Sequence, residues 1–444
     1  MRGVAYHFVL GIALLSSVAH AADITDVASS FEPENAFDFR FRFRYDHTEK
    51  RAQIKRELEG LPGQTAIQNV RDIAYQQSRD SLALRAELGL YHDLMLSLEL
   101  PIILNEQSTY QYDKGISAAN STTVNDGIIS TPYDATTGSA PTDSRTLLKG
   151  AQRGAIAGSG GDAFDTFNVG LTWAPFSQKR DHTKPTWILG FEGQFSVGTI
   201  KKFDRLQSTN HGVSEGIHRL IFKTAVSRRL GWFEPYIGIW YLLPIPRSDS
   251  LFVDRGPNQI SKSPQHQAGT SFGVEAVPFD RPKRGHKIAI DLRGRIEAHF
   301  NGLGYSEAFE LLAGSPGLAC NAASQNLACD PSMNGSTNTV QQSYQGKPYT
   351  GLTNIENYTT LGADAAVTAQ ISRYSHFRVG FDYTHDQSHL ITGDDIGQPG
   401  SSGRVTNAAD YNPAYRPIVD LPGRRYRVDN VNVYTVYLWG QVMF

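Results

Sequence analysis

Every second residue is charged in the stretch Asp38-Phe39-Arg40-Phe41-Arg42-Phe43-Arg44-Tyr45-Asp46. In an extended strand successive side chains point to opposite faces, so Arg40, Arg42 and Arg44 form a basic ladder able to attract anionic solutes. The competing reading is a neutralised network, with the arginines paired to Asp38, Asp46, Glu87 or Glu99. Mixed charged faces recur as Arg85 and Glu87, as Asp291, Arg293, Arg295 and Glu297, and as Arg378 and Asp382. A second group, His47, His299, His385, Asp386 and His389, falls near one end of its segments. A histidine beside a carboxylate can act as a general base. No serine accompanies these residues in a recognisable motif, so catalysis is not expected. His385 and His389 stand at i, i+4, which converges on a helix but not on a strand running into a loop, and no metal or cofactor is expected.

The segments that carry these charges share one pattern. Phe37, Phe39, Phe41, Phe43 and Tyr45 line the face opposite the arginines, and a lipid outside with a polar lumen inside accounts for both faces. Leu82, Leu84, Ala86, Leu88 and Leu90 alternate with Arg85 and Glu87, turn at Tyr91-His92-Asp93, and return as Leu94, Leu96, Leu98 and Leu100. Similar alternation marks 166–176, 186–197, 267–278, 287–300, 360–371, 376–386 and 430–444. The phase of 217–228 and 232–243 is ambiguous, because Tyr236, Ile237, Ile239, Trp240 and Tyr241 make both faces apolar. About twelve strands result, an even number as single-chain bacterial barrels require. Short connections near 91, 180, 230, 282 and 374 alternate with long ones over 48–80, 104–162, 201–215, 244–266, 301–358 and 388–428. The predicted fold is an all-β, transmembrane, antiparallel up-and-down barrel with short periplasmic turns and long extracellular loops. Within the loops, the charged run Glu49 to Leu58 reads as a short helix. Residues 105–162 are Ser/Thr/Gly/Asn-rich with almost no apolar clusters, and read as a functional or disordered loop.

The chain begins with a positive Met1-Arg2, an apolar run from Val4 to Leu15, and a tail ending Ala19-His20-Ala21, the pattern of a cleaved secretory signal. Residues 22–35 are then a periplasmic N-terminal segment and 36–444 the barrel. The apolar run is too short to span a bilayer as a helix, and no later segment approaches that length. With 22 Phe, 20 Tyr, 5 Trp and 41 Gly against 19% charged residues, the composition favours strands, and a net charge of −2 suggests no nucleic-acid partner. Cys320 and Cys329, in a Gly/Ser/Asn-rich stretch of an exported chain, are expected to form one loop disulfide.

The chain ends at Phe444, with Val442, Gly440, Leu438, Val436 and Tyr434 on one face. This resembles the C-terminal signal read by the barrel-assembly machinery, which the resemblance makes a partner alongside outer-membrane lipids. The stretch GGDAFDTFNVGLTWAPF, the following FEGQFSVGT, and Glu234-Pro235-Tyr236 are similar to the phenol-degradation meta-pathway-like family of outer-membrane transporters. That resemblance covers about a quarter of the chain. It implies passage of a small, apolar or aromatic compound and supplies no binding residues. The expected function is a narrow outer-membrane channel or transporter for a small solute. The alternatives are a filled structural barrel, an adhesin or receptor presenting its loops, and a rim-located hydrolase.

Overall fold

The computed structural model describes residues 22–29, 38–59, 66–157, 162–203, 205, 212–255, 258–281, 284–318, 349–398, 405 and 410–444. An alternating strand has one apolar face and two open edges, so it needs partners on both sides and an apolar medium for one face. Twelve strands meet these needs together. They are β1 (Phe39–Leu58), β2 (Gln68–Tyr91), β3 (Leu94–Tyr112), β4 (Thr166–Phe176), β5 (Thr186–Ser196), β6 (Ile217–Ser227), β7 (Phe233–Pro246), β8 (Gln267–Arg281), β9 (His286–His299), β10 (Tyr358–Ser372), β11 (Ser375–Asp386) and β12 (Tyr426–Met443). Each pairs antiparallel with its neighbours in the chain, and β12 pairs with β1 to close the barrel. The closing seam joins Arg40 to Met443 at one end and Arg56 to Tyr426 at the other, with one bulge between Arg51 and Gln53. Closure satisfies the backbone of every strand without water, the condition for crossing hydrocarbon.

The outer face is apolar. Phe41, Phe43, Leu171, Phe191, Phe222, Ile239, Phe272, Leu292, Val379 and Val436 are all exposed on it. Exposed Tyr91, Trp173, Trp232 and Tyr374 lie at the short-turn end, where an aromatic girdle meets the membrane interface. The phase of β6 and β7 is now resolved: Phe222, Val226, Ile237, Ile239 and Tyr241 are exposed outward, and Tyr236 and Leu242 are buried inward. At the seam Phe43 pairs with Gly440, which also pairs with Phe377. A Cβ on Gly440 would come within 2.4 Å of the Phe43 ring, so the glycine makes room for two aromatic neighbours. Leu438, Val442 and Phe444 are exposed on the same face.

The wall is uneven in height. β4, β5 and β6 have 11 residues each, close to what a tilted membrane strand requires. β1, β2, β3 and β12 have 20, 24, 19 and 18, and so project beyond the membrane on the long-loop side. The helix expected over Glu49 to Leu58 is therefore a strand. Its alternation simply changes medium: Ala52, Ile54 and Arg56 are buried, while Arg51 is exposed to solvent.

The connection over 105–162, read from sequence as a functional or disordered loop, is folded across its described part, 105–157. β3 runs on to Tyr112, a helical turn spans Thr122–Asn125, and short strands cover Tyr133–Asp134 and Thr146–Lys149. Ile128, Ile129, Leu147, Leu148, Leu311, Leu312, Ile391 and Val419, from three separate loops, are fully buried. They form one core with Ile54, Ile73, Tyr110, Tyr426 and Val428 of the projecting wall. Burying each such aliphatic side chain stabilises by ~1.5–3 kcal/mol, enough to order segments that are individually poor in apolar residues. Buried Arg56 ties the layers together, donating to the carbonyls of Arg424 at 3.1 Å, Thr122 at 2.8 Å and Ile418 at 2.6 Å. The result is a folded extracellular cap. Cys320 and Cys329 lie outside the described residues.

Candidate functional site

Strand phase decides which charges meet. Arg40, Arg42 and Arg44 point into the barrel while Phe41 and Phe43 point out, but the three arginines have different surroundings. Arg40 is buried in ion pairs, 2.6 Å from Asp26 and 3.0 Å from Asp38. Arg85 lies 2.7 Å from Glu87 and 3.3 Å from Glu99. Asp291 takes Arg293 at 3.0 Å, Arg378 at 2.6 Å and the Tyr236 hydroxyl at 2.5 Å. Arg295 bridges Glu297 at 3.3 Å and Asp382 at 2.5 Å.

Arg293, Arg295, Arg378 and Asp382 of these pairs also line a cavity of about 440 Å³. Its lining includes Arg42, Arg44, Arg79, Arg293, Arg295 and Arg378, against Asp23, Asp46, Asp364 and Asp382. Two guanidiniums are held flat by aromatic rings: Arg42 lies 4.5 Å over Trp439 and Arg44 lies 4.4 Å over Tyr437. Each is also held at its edge: Arg42 Nε and Nη2 donate to Gln441 Oε1 at 2.9 Å and 2.7 Å, and Arg44 Nε donates to Asp46 at 2.8 Å. The Arg378 side chain is 2% exposed, and its Nη1 has no hydrogen-bond partner.

The segment Ala22–Ser29 lies inside the barrel at the short-turn end. It is tied to the wall by Thr25 to Ser227 at 2.7 Å, Ser29 to Asp93 at 2.7 Å, and Asp26 to Arg40. Its Asp23 carboxylate reaches into the cavity, 3.5 Å from Arg378 Nη1 and 3.9 Å from Arg42. Between this segment and the wall at Arg42, Glu275, Lys287, His376 and Gln441 there is only about 50 Å³, room for a few waters. The segment thus narrows the periplasmic end of the lumen.

A second cavity of about 340 Å³ lies under the cap. Arg79 lines both cavities. Here Lys50 pairs with Glu307 at 2.6 Å and Lys201 with Glu106 at 2.5 Å.

The rim histidines separate. His47 pairs with Asp80 at 2.7 Å, and His385 lies 3.1 Å from Asn432; both belong to the outward phase of their strands. His299 and His389 stack on opposite faces of Tyr358, with centroids at 4.2 Å and 3.8 Å. The Thr360 hydroxyl lies 2.6 Å from Asp386 and 3.2 Å from His299 Nε2, and His299 Nδ1 has no partner. Donating to Asp386, that hydroxyl is not activated by the histidine, and the ring's carboxylate contact, Glu297 at 4.0 Å, is on the same Nε2 and not on Nδ1. The arrangement lacks the relay a nucleophile needs.

No family model and no curated protein matches this chain, so the likeness to the phenol-degradation meta-pathway-like family stays a resemblance. Solved structures similar to it include outer-membrane proteins. One is the COG4313 outer membrane channel from Pseudomonas putida F1, 9% identical over 92% of this chain and 95% of that one, TM-score 0.36. A FadL homologue from Pseudomonas aeruginosa is 7% identical over 91% and 90%, TM-score 0.32. The outer membrane protease OmpT from Escherichia coli is 6% identical over 92% and 97%, TM-score 0.26. At these scores the likenesses carry no argument about chemistry.

Of the residues singled out from sequence, Arg42, Arg44, Arg293, Arg295, Arg378 and Asp382 line the larger cavity, while Asp38, Arg40, Arg85, Glu87, Asp291 and Glu297 do not. Sequence reasoning missed Arg79, Asp364, Tyr437, Trp439 and Asp23. Extending the inward phase of Arg85 back along β2 reaches Arg79, and the phase of β12 opposite Gly440, Leu438 and Val436 contains Trp439 and Tyr437. Nothing local marks Asp23, whose position depends on the segment re-entering the barrel.

Proposed function

We propose that this protein is an outer-membrane channel or transporter for small solutes bearing an anionic group, which bind the arginine-lined cavity at mid-lumen. The observation that carries the reading is Asp23. Its carboxylate sits among Arg42, Arg378 and Arg293, opposite a buried guanidinium N–H that lacks a hydrogen-bond partner. A carboxylate, phosphate or sulfonate presents the same acceptor oxygens, and arginine binds such groups through charge-assisted, often bidentate hydrogen bonds. An incoming anion therefore competes with Asp23, and displacing Asp23 withdraws the segment that narrows the lumen. The aromatic faces of Tyr437 and Trp439 in the same lining suit a solute with an apolar or aromatic body.

Single-channel recording of purified protein tests this, with benzoate or inorganic phosphate added to either side and benzyl alcohol as the neutral control. The anions should interrupt or modulate the current in a concentration-dependent way and the alcohol should not. Replacing Arg42 by Gln removes one charge-assisted contact, worth ~1.5–3 kcal/mol, and should weaken the effect by about 10- to 100-fold. Equal responses to benzoate and benzyl alcohol would refute an anion site.

A further inference from the structure

Glu234 on β7 and Glu275 on β8 face each other in register, and both are almost fully buried, with 1% and 4% exposure. Lys287 lies 2.7 Å from Glu275. No lysine or arginine pairs with Glu234 among the described residues. Two adjacent buried carboxylates with one cation are a charge short, and a buried carboxylate without a cation is costly. Glu234 Oε1 accepts from the Ser227 hydroxyl at 2.7 Å and from the nitrogen of fully buried Ala22 at 2.6 Å, while Oε2 has no partner. A peptide N–H serves one oxygen only and brings no charge.

The residues before this nitrogen read Ala19-His20-Ala21, the small-x-small pattern of a signal-cleavage site. We propose that cleavage between Ala21 and Ala22 creates the ligand of this site: the α-ammonium of Ala22, docked on the Glu234 carboxylate inside the barrel. The cleaving endopeptidase breaks the amide C–N bond with one water. The water's oxygen leaves with Ala21 as a carboxylate, and the nitrogen of Ala22 takes up protons to become an ammonium. That group carries the missing positive charge and has three N–H donors, enough for Oε1 and for the unpartnered Oε2. Neighbouring contacts hold the terminus in place: the Ala22 carbonyl accepts from Thr25 N at 2.8 Å, and Thr25 is bonded to Ser227, which also holds Glu234. Because Asp23 is the next residue, the docked terminus also fixes where its carboxylate enters the lumen. Processing of the precursor is thereby coupled to formation of the lumen segment, whatever solute the barrel passes.

The test uses mature protein purified from outer membranes and acetic anhydride as an amine probe, with the Ala22 peptide quantified by mass spectrometry. The mature chain should start at Ala22. At pH 7 its α-amine should acetylate at least about tenfold more slowly in the folded than in the heat-unfolded protein, the effect of raising its pKa by one unit. The direction of the pH profile separates pairing from simple burial. A carboxylate partner moves the labelling curve to higher pH than in the unfolded chain, whereas burial alone moves it lower. Glu234→Gln, checked for folding by heat-modifiable gel migration, should restore labelling toward the unfolded rate. A different mature terminus, a curve that is unshifted or moved to lower pH, or a folded Glu234→Gln protein that labels as slowly as wild type would each overturn the proposal. If the variant does not fold, the wild-type pH profile decides alone. None of these readouts depends on whether the barrel conducts.

Discussion

Neighbouring arginines on one strand face do different work here. Arg40 is 3% exposed and is the cation shared by Asp26 and Asp38, whereas Arg44 lies at the cavity against Asp46, with its side chain 42% exposed. Removing one partner of a buried pair leaves an uncompensated charge and typically costs ~3–5 kcal/mol. Arg40→Ser should therefore lower barrel stability by about that amount in urea unfolding followed by heat-modifiable migration, and should loosen the N-terminal segment. Arg44→Ser should change stability by less than ~1 kcal/mol, since a partly exposed pair is worth little, yet alter ion conductance. Equal destabilisation by both would mean that burial does not separate them. The alternation of Asp38 to Asp46 marks both arginines as inward, but only the path of residues 22–29 shows which one is consumed.

At the scale of elements, membrane strands were legible because Phe41, Phe43 and their counterparts must face lipid, and a one-residue slip would bury the charges there. The upper part of β1 was not. Beyond His47 the outward positions face water, so Glu49, Arg51 and Lys55 lose the apolar signature and the run resembles a helix. The cap was illegible for a related reason. Ile128-Ile129, Leu147-Leu148, Leu311-Leu312 and Ile418-Val419 are short apolar pairs in otherwise polar loops, too short to show a period, and become a core only when the loops meet. Within that cap, burial and the neighbouring Asp420 push the Asp394 carboxyl up to about 7, and burial pushes Asp420 up to about 6. In the unfolded loop both would ionise near 3.8. The folded cap thus binds more protons across this interval, so its stabilisation is complete below about pH 4 and is lost as pH rises toward 7. Hydrogen exchange of residues 388–398 and 410–425, corrected for intrinsic rates, should show more protection at pH 5 than at pH 8. Asp394→Asn should flatten that dependence and raise protection at pH 8. Greater protection at the higher pH would contradict the assignment.

At the scale of the whole molecule, the barrel is closed by its seam, capped outside by folded loops and narrowed at the periplasmic end by its own N-terminal segment. Between these lies a cavity whose lining has six arginines and four aspartates, one of them Asp23 from the N-terminal segment. Cationic walls of low dielectric concentrate anions, so charge balance in this cavity should govern what passes. The measurement that bears on this most directly is the zero-current potential of the purified protein in a potassium chloride gradient, compared with that of Asp23→Asn. The expected result is a preference for chloride over potassium that grows in Asp23→Asn, which removes one of the four carboxylates. A preference for potassium, or a variant that moves selectivity toward potassium, would contradict an arginine-governed lumen.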